Sequence, residues 1–304
     1  MFSIRTVGQL TLAKQREALA LLFSGLTGHE LDANIERAQA ALRDGILDSS
    51  AVFTGWIDKQ IVGVLVAEVL PGSSASLWPI RSLPVPEQTV VEDALFSGAI
   101  RLLLARGVRF AQTILSADND PACAALCRNG FRRIASVWNM RADFPVALPP
   151  SSADLRMEPL SDHITSTFKH ILMDTFEATQ DAPELNGLRS AEEIIAGHVG
   201  ASPDLSRWWL AHWKGRPAGV LILADGIVPE LHDLAYFGVI PALRGHGIGR
   251  AIFTFSLEYS AKSGASGMTL LVDDRNQPAI RLYEDASFRT TSVRDVFIRA
   301  LQLT

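Results

Sequence analysis

The stretch Val239-Ile240-Pro241-Ala242-Leu243-Arg244-Gly245-His246-Gly247-Ile248-Gly249-Arg250 decides how the rest of the chain reads. Residues 234–240 form a short apolar run with strand character, broken at Pro241. Three alternate glycines follow, then a segment in which Ile248, Ile252, Phe255 and Tyr259 lie on one face of a helix. Such a turn leaves backbone N–H groups unpaired at the positive end of the helix, where a phosphate or pyrophosphate is stabilised. Glycine lets the backbone approach the anion, and Arg244 and Arg250 can add charge-assisted hydrogen bonds. A glycine turn also makes an ordinary tight connection, so the loop needs a second signal.

The bulk composition narrows the field. A chain of 304 residues has room for two domains, and 48% hydrophobic with 20% charged residues is globular. A formal charge of −5 argues against nucleic acid or an anionic membrane as partner. Cys123 and Cys127 lack the companions of a disulfide framework or a zinc site, and no metal is expected. The longest early apolar run, 18–23, is too short for a signal segment or a membrane span, so a soluble cytoplasmic protein is expected.

The chain also resembles itself. Asp118-Asn119-Asp120-Pro121-Ala122 matches Arg275-Asn276-Gln277-Pro278-Ala279 at an offset of 157 residues. The same offset pairs Phe131 with Phe288, Gly107 with Gly264, and Pro84 with Pro241. One residue out of step, Gly63-Val64-Leu65-Val66 matches Gly219-Val220-Leu221-Ile222. Ordered matches over this distance mean two copies of one domain. Proline and serine around 146–152 mark a linker, giving domains at 1–145 and 153–304.

Each copy reads as helices, then a hairpin, then alternating elements. Helical regions are expected at 11–23 and 31–42, and again at 161–176 and 190–198. Hairpins are expected at 51–57 with 61–69, and 207–213 with 218–224. The second copy continues with a strand at 268–272, a helix at 278–284, and strands at 288–293 and 296–301. The class is α+β, each domain a mixed, mostly antiparallel sheet flanked by helices.

The second signal comes from that helix. Val239-x-Pro241-x-x-Arg244-Gly245-x-Gly247-Ile248-Gly249, followed by Asn276-x-x-Ala279-x-x-Leu282-Tyr283-x-x-x-x-Phe288, resembles the GCN5-related N-acetyltransferase (GNAT) superfamily. The resemblance covers 153–304 well and 1–145 in outline, as in tandem members of mycothiol synthase type. It implies two acyl-CoA N-acyltransferase domains and acetyl-CoA as co-substrate. Backbone amides of Arg244, Gly245, His246, Gly247, Ile248 and Gly249 would cradle the pyrophosphate, with Arg250 beside them. Main-chain groups of Phe237, Gly238 and Val239 would pair with the pantetheine arm, which Asn276 and Ala279 would also contact. Tyr283 would stand near the thioester sulfur and protonate the departing thiolate. One departure is Ser287-Phe288, where the family has Gly-Phe.

Acetyl transfer needs a neutral amine, so a general base is required. The family often has a glutamate six residues before the strand valine, and Asp233 holds that position. Glu230 and His232 are rivals, on the opposite strand face from Asp233. The loop 176–186 carries Glu177, Asp181 and Glu184, which could attract a cationic amine or simply be solvated. The acceptor would be a small-molecule amine or a protein or peptide amine, and the protein a monomer or weak homodimer.

The first copy is the control. Glu87-Gln88-Thr89-Val90-Val91-Glu92 stands opposite the glycine loop, Leu126 opposite Tyr283, and Ser76 opposite Asp233. Two carboxylates in place of glycines disfavour a pyrophosphate. The expected function is acetyl transfer from acetyl-CoA to a primary amine by direct attack in the C-terminal domain, beside a degenerate, non-catalytic copy. The alternative is a silent acyl-CoA-binding regulatory or interaction protein.

Overall fold

The computed structural model describes residues 2–117, 120–146 and 154–301. Residues 147–152 of the expected linker, and Asp118 and Asn119 of the repeated motif, lie outside the described residues. The chain forms two compact units, 1–134 with 295–304, and 135–294.

In the first unit the elements are β1 (Phe2–Thr6), α1 (Leu12–Leu22), α2 (Gly28–Arg43), β2 (Val52–Ile57), β3 (Gln60–Leu70), β4 (Ser74–Leu77), β5 (Arg81–Ser82), α3 (Gln88–Ala105), β6 (Phe110–Ser116) and α4 (Asp120–Arg128). Thr11 caps α1 by accepting from the Lys14 amide. The strands run in the order β1-β2-β3-β4-β6, antiparallel except for the parallel β4–β6 pair. Strand alternation serves two cores: Phe53 and Leu65 pack toward α3, and Val52, Val64 and Val66 toward α1 and α2.

The second unit follows β7 (Arg132–Asp143). Its elements are β8 (Leu155–Pro159), α5 (Thr165–Thr175), α6 (Ala191–Ala201), β9 (Trp208–Trp213), β10 (Arg216–Asp225), β11 (Leu231–Val239), α7 (Ile248–Lys262), β12 (Gly267–Asp273) and α8 (Gln277–Asp285). A last strand, β13 (Arg289–Ala300), ends the series. The sheet order is β8-β9-β10-β11-β12-β7, with β11–β12 the parallel pair. Trp208, Leu210, Val220 and Ile222 pack under α5 and α6, while Trp209, Ala211, Leu221 and Leu223 pack against α7 and α8. The alternating tryptophans are therefore core on both faces.

The ends of the two repeats are exchanged between the units. Residues 135–143, which close the first repeat, pair with β12 from Gly267↔Asp143 to Asp273↔Val137. Residues 295–300, which close the second, belong to the first unit, where Phe297 and Leu301 join its core.

Three local features differ from the sequence reading. β1 and β8, the short strands that open the repeats, were not expected. The strands expected at 288–293 and 296–301 are one, because the Arg294-Asp295 pair does not turn: Asp295 is buried and bound to Arg133 at 2.8 Å. Among the described residues no helix is long and apolar enough to cross a membrane.

Candidate functional site

The site begins where two strands part. β11 and β12 pair only over residues 231–234 and 267–270. Beyond Leu234, β11 continues against β10 alone, from Tyr236↔Ile222 to Val239↔Gly219. Ala235 is an extra residue in a β-bulge between Leu223↔Leu234 and Ile222↔Tyr236. Ala235 and Tyr236 consequently both pack on the α5–α6 side, while Leu234, Phe237 and Val239 pack on the α7 side. The strand edge turned away from β10 has unpaired main-chain groups, as any open edge does. It forms one wall of a cleft of about 400 Å³.

The glycine loop closes one end of this cleft. Gly245 and Gly247 both sit at φ +78°, a left-handed conformation that disfavours other residues, and Gly247 caps α7. A Cβ at either position would meet nothing within 4 Å, so the loop is open on that side. The Ala251 amide pairs with the Gly247 carbonyl, and the amides before it in the first turn have no intrahelical acceptor. Gly245, Gly247, Gly249 and Arg250 line the cleft. These features fit a pyrophosphate.

The two arginines are engaged differently. Arg244 donates from Nε to the Val239 carbonyl, from Nη1 to that of Ala178, and from Nη2 to that of Thr175, each at 3.0 Å. It ties the loop to the C-terminal end of α5 rather than extending a free guanidinium. Arg250 pairs with Asp285 at 2.8 Å on the exposed surface.

The opposite wall is α8. Asn276 caps it by accepting from the Ala279 amide at 3.3 Å. One helical turn further, Tyr283 is 5% exposed and packs edge-on against Phe253 and Phe237, at centroid distances of 5.2 and 6.4 Å. Burial, with the charge of Asp181 added, raises its pKa well above the ordinary tyrosine value. The phenol therefore stays protonated through the neutral range. Ser287, in place of the family glycine, adopts φ +66° and keeps the left-handed turn after α8.

The carboxylates divide sharply. Asp181 lines the cleft, and its Oδ1 accepts from the Asp273 amide at 2.8 Å. Its pKa is raised, first by confinement between the cleft walls and then by the charge of Asp273. Burial opposes ionisation of Asp273, but bonds from Arg275 hold its pKa low. Arg275 also grips Glu184 with two bonds of 2.8 and 3.0 Å, lowering the pKa of Glu184. Glu184 is thus a strut of the 176–186 loop, and Glu177 is exposed and does not line the cleft.

Asp233 lies below the parting of the strands, accepting from Thr269 Oγ1 at 2.9 Å, with its pKa raised by burial. It does not line the cleft, nor does Glu230, an exposed residue whose carbonyl accepts from the Ser266 amide. His232 bonds to Ser260, and burial lowers its pKa. The His246 side chain is exposed, with Nδ1 2.9 Å from the Arg244 carbonyl, and Ile248 is buried in the core. The structure thus brings Phe237, Gly238, Val239, Arg244, Gly245, Gly247, Gly249, Arg250, Asn276, Ala279, Tyr283 and Asp181 to one cleft. The side chains of Asp233, Glu230, Glu177, Glu184, His246 and Ile248 lie outside it.

Sequence reasoning missed Tyr236 and Thr175, whose hydroxyls meet at 2.8 Å on the cleft wall. Burial pushes the Tyr236 pKa up to about 12. A Cβ on Gly238 would lie 2.6 Å from Thr175 Cβ and 2.8 Å from Tyr236 Oη, so only glycine fits beneath this pair. Tyr-Phe-Gly at the strand end was the available signal; the bulge that sorts the two rings to opposite faces left none.

The counterpart in the first unit is filled. α3 already begins at Gln88, so residues 88–92, opposite most of the glycine loop, are helical. Glu92, 5% exposed, accepts from Ser82 at 2.7 Å, Gln88 at 3.0 Å and Arg128 at 2.5 Å. Leu126 is buried where the second unit has Tyr283.

The chain is similar to several known proteins. Residues 166–288 match the model described as the acetyltransferase (GNAT) family. A mycothiol acetyltransferase of Thermomonospora curvata is 27% identical, over 90% of this chain and 95% of that protein. A mycothiol acetyltransferase of Thermobispora bispora is 30% identical, over 59% of this chain and 62% of its own. Among solved structures, a GCN5-related N-acetyltransferase from Sphaerobacter thermophilus superposes with a TM-score of 0.64 at 16% identity, covering 99% of this chain and 96% of its own. A tandem GNAT protein from the clavulanic acid biosynthesis pathway superposes at 0.57 and 15% identity, covering 100% and 99%. At such identities the superpositions establish the fold.

Proposed function

We propose, from the premise that residues 166–288 form a domain of the acetyltransferase (GNAT) family and that the chain is an acyltransferase, that its second unit moves an acetyl group from acetyl-CoA to a primary amine by direct attack. The observation that carries this reading is the convergence of three features on one cleft: an open strand edge, a helix N-terminus opened by glycines, and a protonated phenol. Acetyl-CoA would supply the activated thioester. The amides of residues 245–249 would hold its pyrophosphate, and the open edge at residues 237–239 would hold its extended arm by main-chain hydrogen bonds.

Tyr283 then keeps a proton at Oη for the leaving sulfur: burial holds that proton through the neutral range, at the cost of making the phenol a weaker acid. A thiol of ordinary pKa, about 8.5, would otherwise depart as an anion into an apolar wall. For the amine proton, Asp181 is the carboxylate within the cleft, and Asp233 could act only through water along the parted strands. The first unit, with Glu92 tied down and Leu126 opposite Tyr283, would neither bind acetyl-CoA in this way nor catalyse.

Thiol release from acetyl-CoA by the full-length protein, across a panel of amines, tests the reading. Gly247→Glu, which puts bulk and charge into the anion cradle, should abolish acetyl-CoA affinity in calorimetry. Retained affinity would sink the loop assignment. Binding without thiol release on any amine would favour a silent acyl-CoA binder.

A further inference from the structure

A second, smaller hollow of about 170 Å³ adjoins the cleft through Asp181 and Tyr236, which line both. Its remaining walls are largely apolar, from Met173, Phe176, Leu185 and Ile194. One charged side chain of the opposite sign to Asp181 stands in it: Arg189, just before α6. The Arg189 Nε is buried and makes no hydrogen bond. Burial lowers the pKa of this guanidinium, and the charge of Glu193 offsets only part of that cost. His198 nearby is driven neutral, its pKa falling to about 4 through burial and the charge of Arg189. A desolvated guanidinium with an unmade bond is costly unless a ligand completes it.

We infer that this hollow receives the amine acceptor, and that Arg189 reads a carboxylate on it. The acceptor is thus an amino acid or a related amino carboxylate. The inference rests on the acetyl-transfer reading and adds the substrate class. Asp181, at the junction of hollow and cleft, faces the amine end, and Arg189 the acid end. That is the charge pattern of a zwitterion. The walls between them are apolar, which suits a short aliphatic spacer or side chain. Glu193 already supplies one negative charge to this guanidinium, so a monoanion balances the site better than a phosphate dianion.

The test uses the full-length protein and matched pairs: L-methionine with L-methioninamide, β-alanine with 3-aminopropanamide, and 4-aminobutyrate with 4-aminobutanamide. O-phosphoethanolamine is the dianion arm. Acetyl-CoA-dependent thiol release and calorimetric binding are read for each. In at least one pair the carboxylate should exceed its amide by about ten- to a hundredfold in kcat/KM, the range of a charge-assisted bond. Arg189→Gln should bring that ratio close to one, and Arg189→Lys should restore part of it. Equal handling of acid and amide in every pair, or preference for the phosphate, overturns the proposal. So does a ratio that survives Arg189→Gln, or a loss that strikes both members of a pair alike. Should no amine release thiol, the acetyl-transfer reading fails, and carboxylate-selective binding in calorimetry, lost in Arg189→Gln, still decides the role of Arg189.

Discussion

At the scale of single residues, Tyr283 is where structure and chemistry are most tightly joined. Its ring is buried, its phenol keeps its proton, and the residue lines the cleft. Tyr283→Phe should lower kcat by about 10²-fold or more, the usual yield of a positioned acid. The same change should leave the urea midpoint nearly unmoved, since Tyr283 lines the open cleft and its hydroxyl is not a buried group that the change would strip of a bond. A parallel fall in stability and rate would instead mark Tyr283 as a packing residue. Asp181 and Asp233 are separated by a similar comparison. If Asp181 takes the amine proton, Asp181→Asn should cut kcat about 10²-fold, and Asp233→Asn by less than tenfold. The reverse order would give the role to Asp233. Asp233 has a second signature in stability. Its folded pKa is raised above the unfolded value, so its stabilising effect, complete below the unfolded pKa, is lost as pH rises through the folded one. Asp233→Asn, which cannot ionise, should gain in Tm relative to the wild type as pH is taken upward from about 4. Thermal melts from pH 4 to 8 would read this.

At the scale of elements, the second copy was legible wherever one period ruled a whole segment. The face Ile248, Ile252, Phe255 and Tyr259 gives α7, and Pro241 with the alternate glycines gives its start. What could not be read were features decided by partners distant in sequence. The bulge at Ala235 shifts alternation by one residue, and nothing in Asp233-Leu234-Ala235-Tyr236 announces it. Only its count from Val239 singles out Asp233 in the sequence, and the structure leaves it below the fork. Glu184 read as a free carboxylate because Arg275 is 91 residues away. Arg244 read as a phosphate ligand, yet its three carbonyl partners come from Thr175, Ala178 and Val239. Arg244→Ala should cost about 2 kcal/mol in chemical denaturation, as hydrogen bonds to a charged group are lost. It should also raise amide exchange across residues 176–186, which the guanidinium holds to the glycine loop. Unchanged exchange there would remove Arg244 from that role.

At the scale of the whole molecule, the repeat was visible in the sequence but the exchange of its last strands was not. Offsets of 157 residues reveal similar segments, whereas strand pairing depends on which edge each segment reaches. The second unit requires residues 135–143 to cover β12, and the first requires residues 295–300. A fragment of residues 153–304 alone should therefore be poorly soluble, with the β12 edge exposed. Coexpression with residues 1–145 should recover a soluble complex that co-purifies. A fragment 153–304 that is monomeric and cooperatively folded by itself would contradict this.

The same exchange sets a timetable on the ribosome. The strand ending at Asp143 is made 124 residues before Gly267, the first residue of the strand it pairs with. The first unit waits still longer, for residues 295–300. At roughly 5–20 residues per second, each unit spends on the order of ten seconds or more with a completed strand or an open edge lacking its mate. Nascent-chain protease sensitivity in the first unit should therefore persist until residues 295–300 have left the ribosome, long after its own helices have formed.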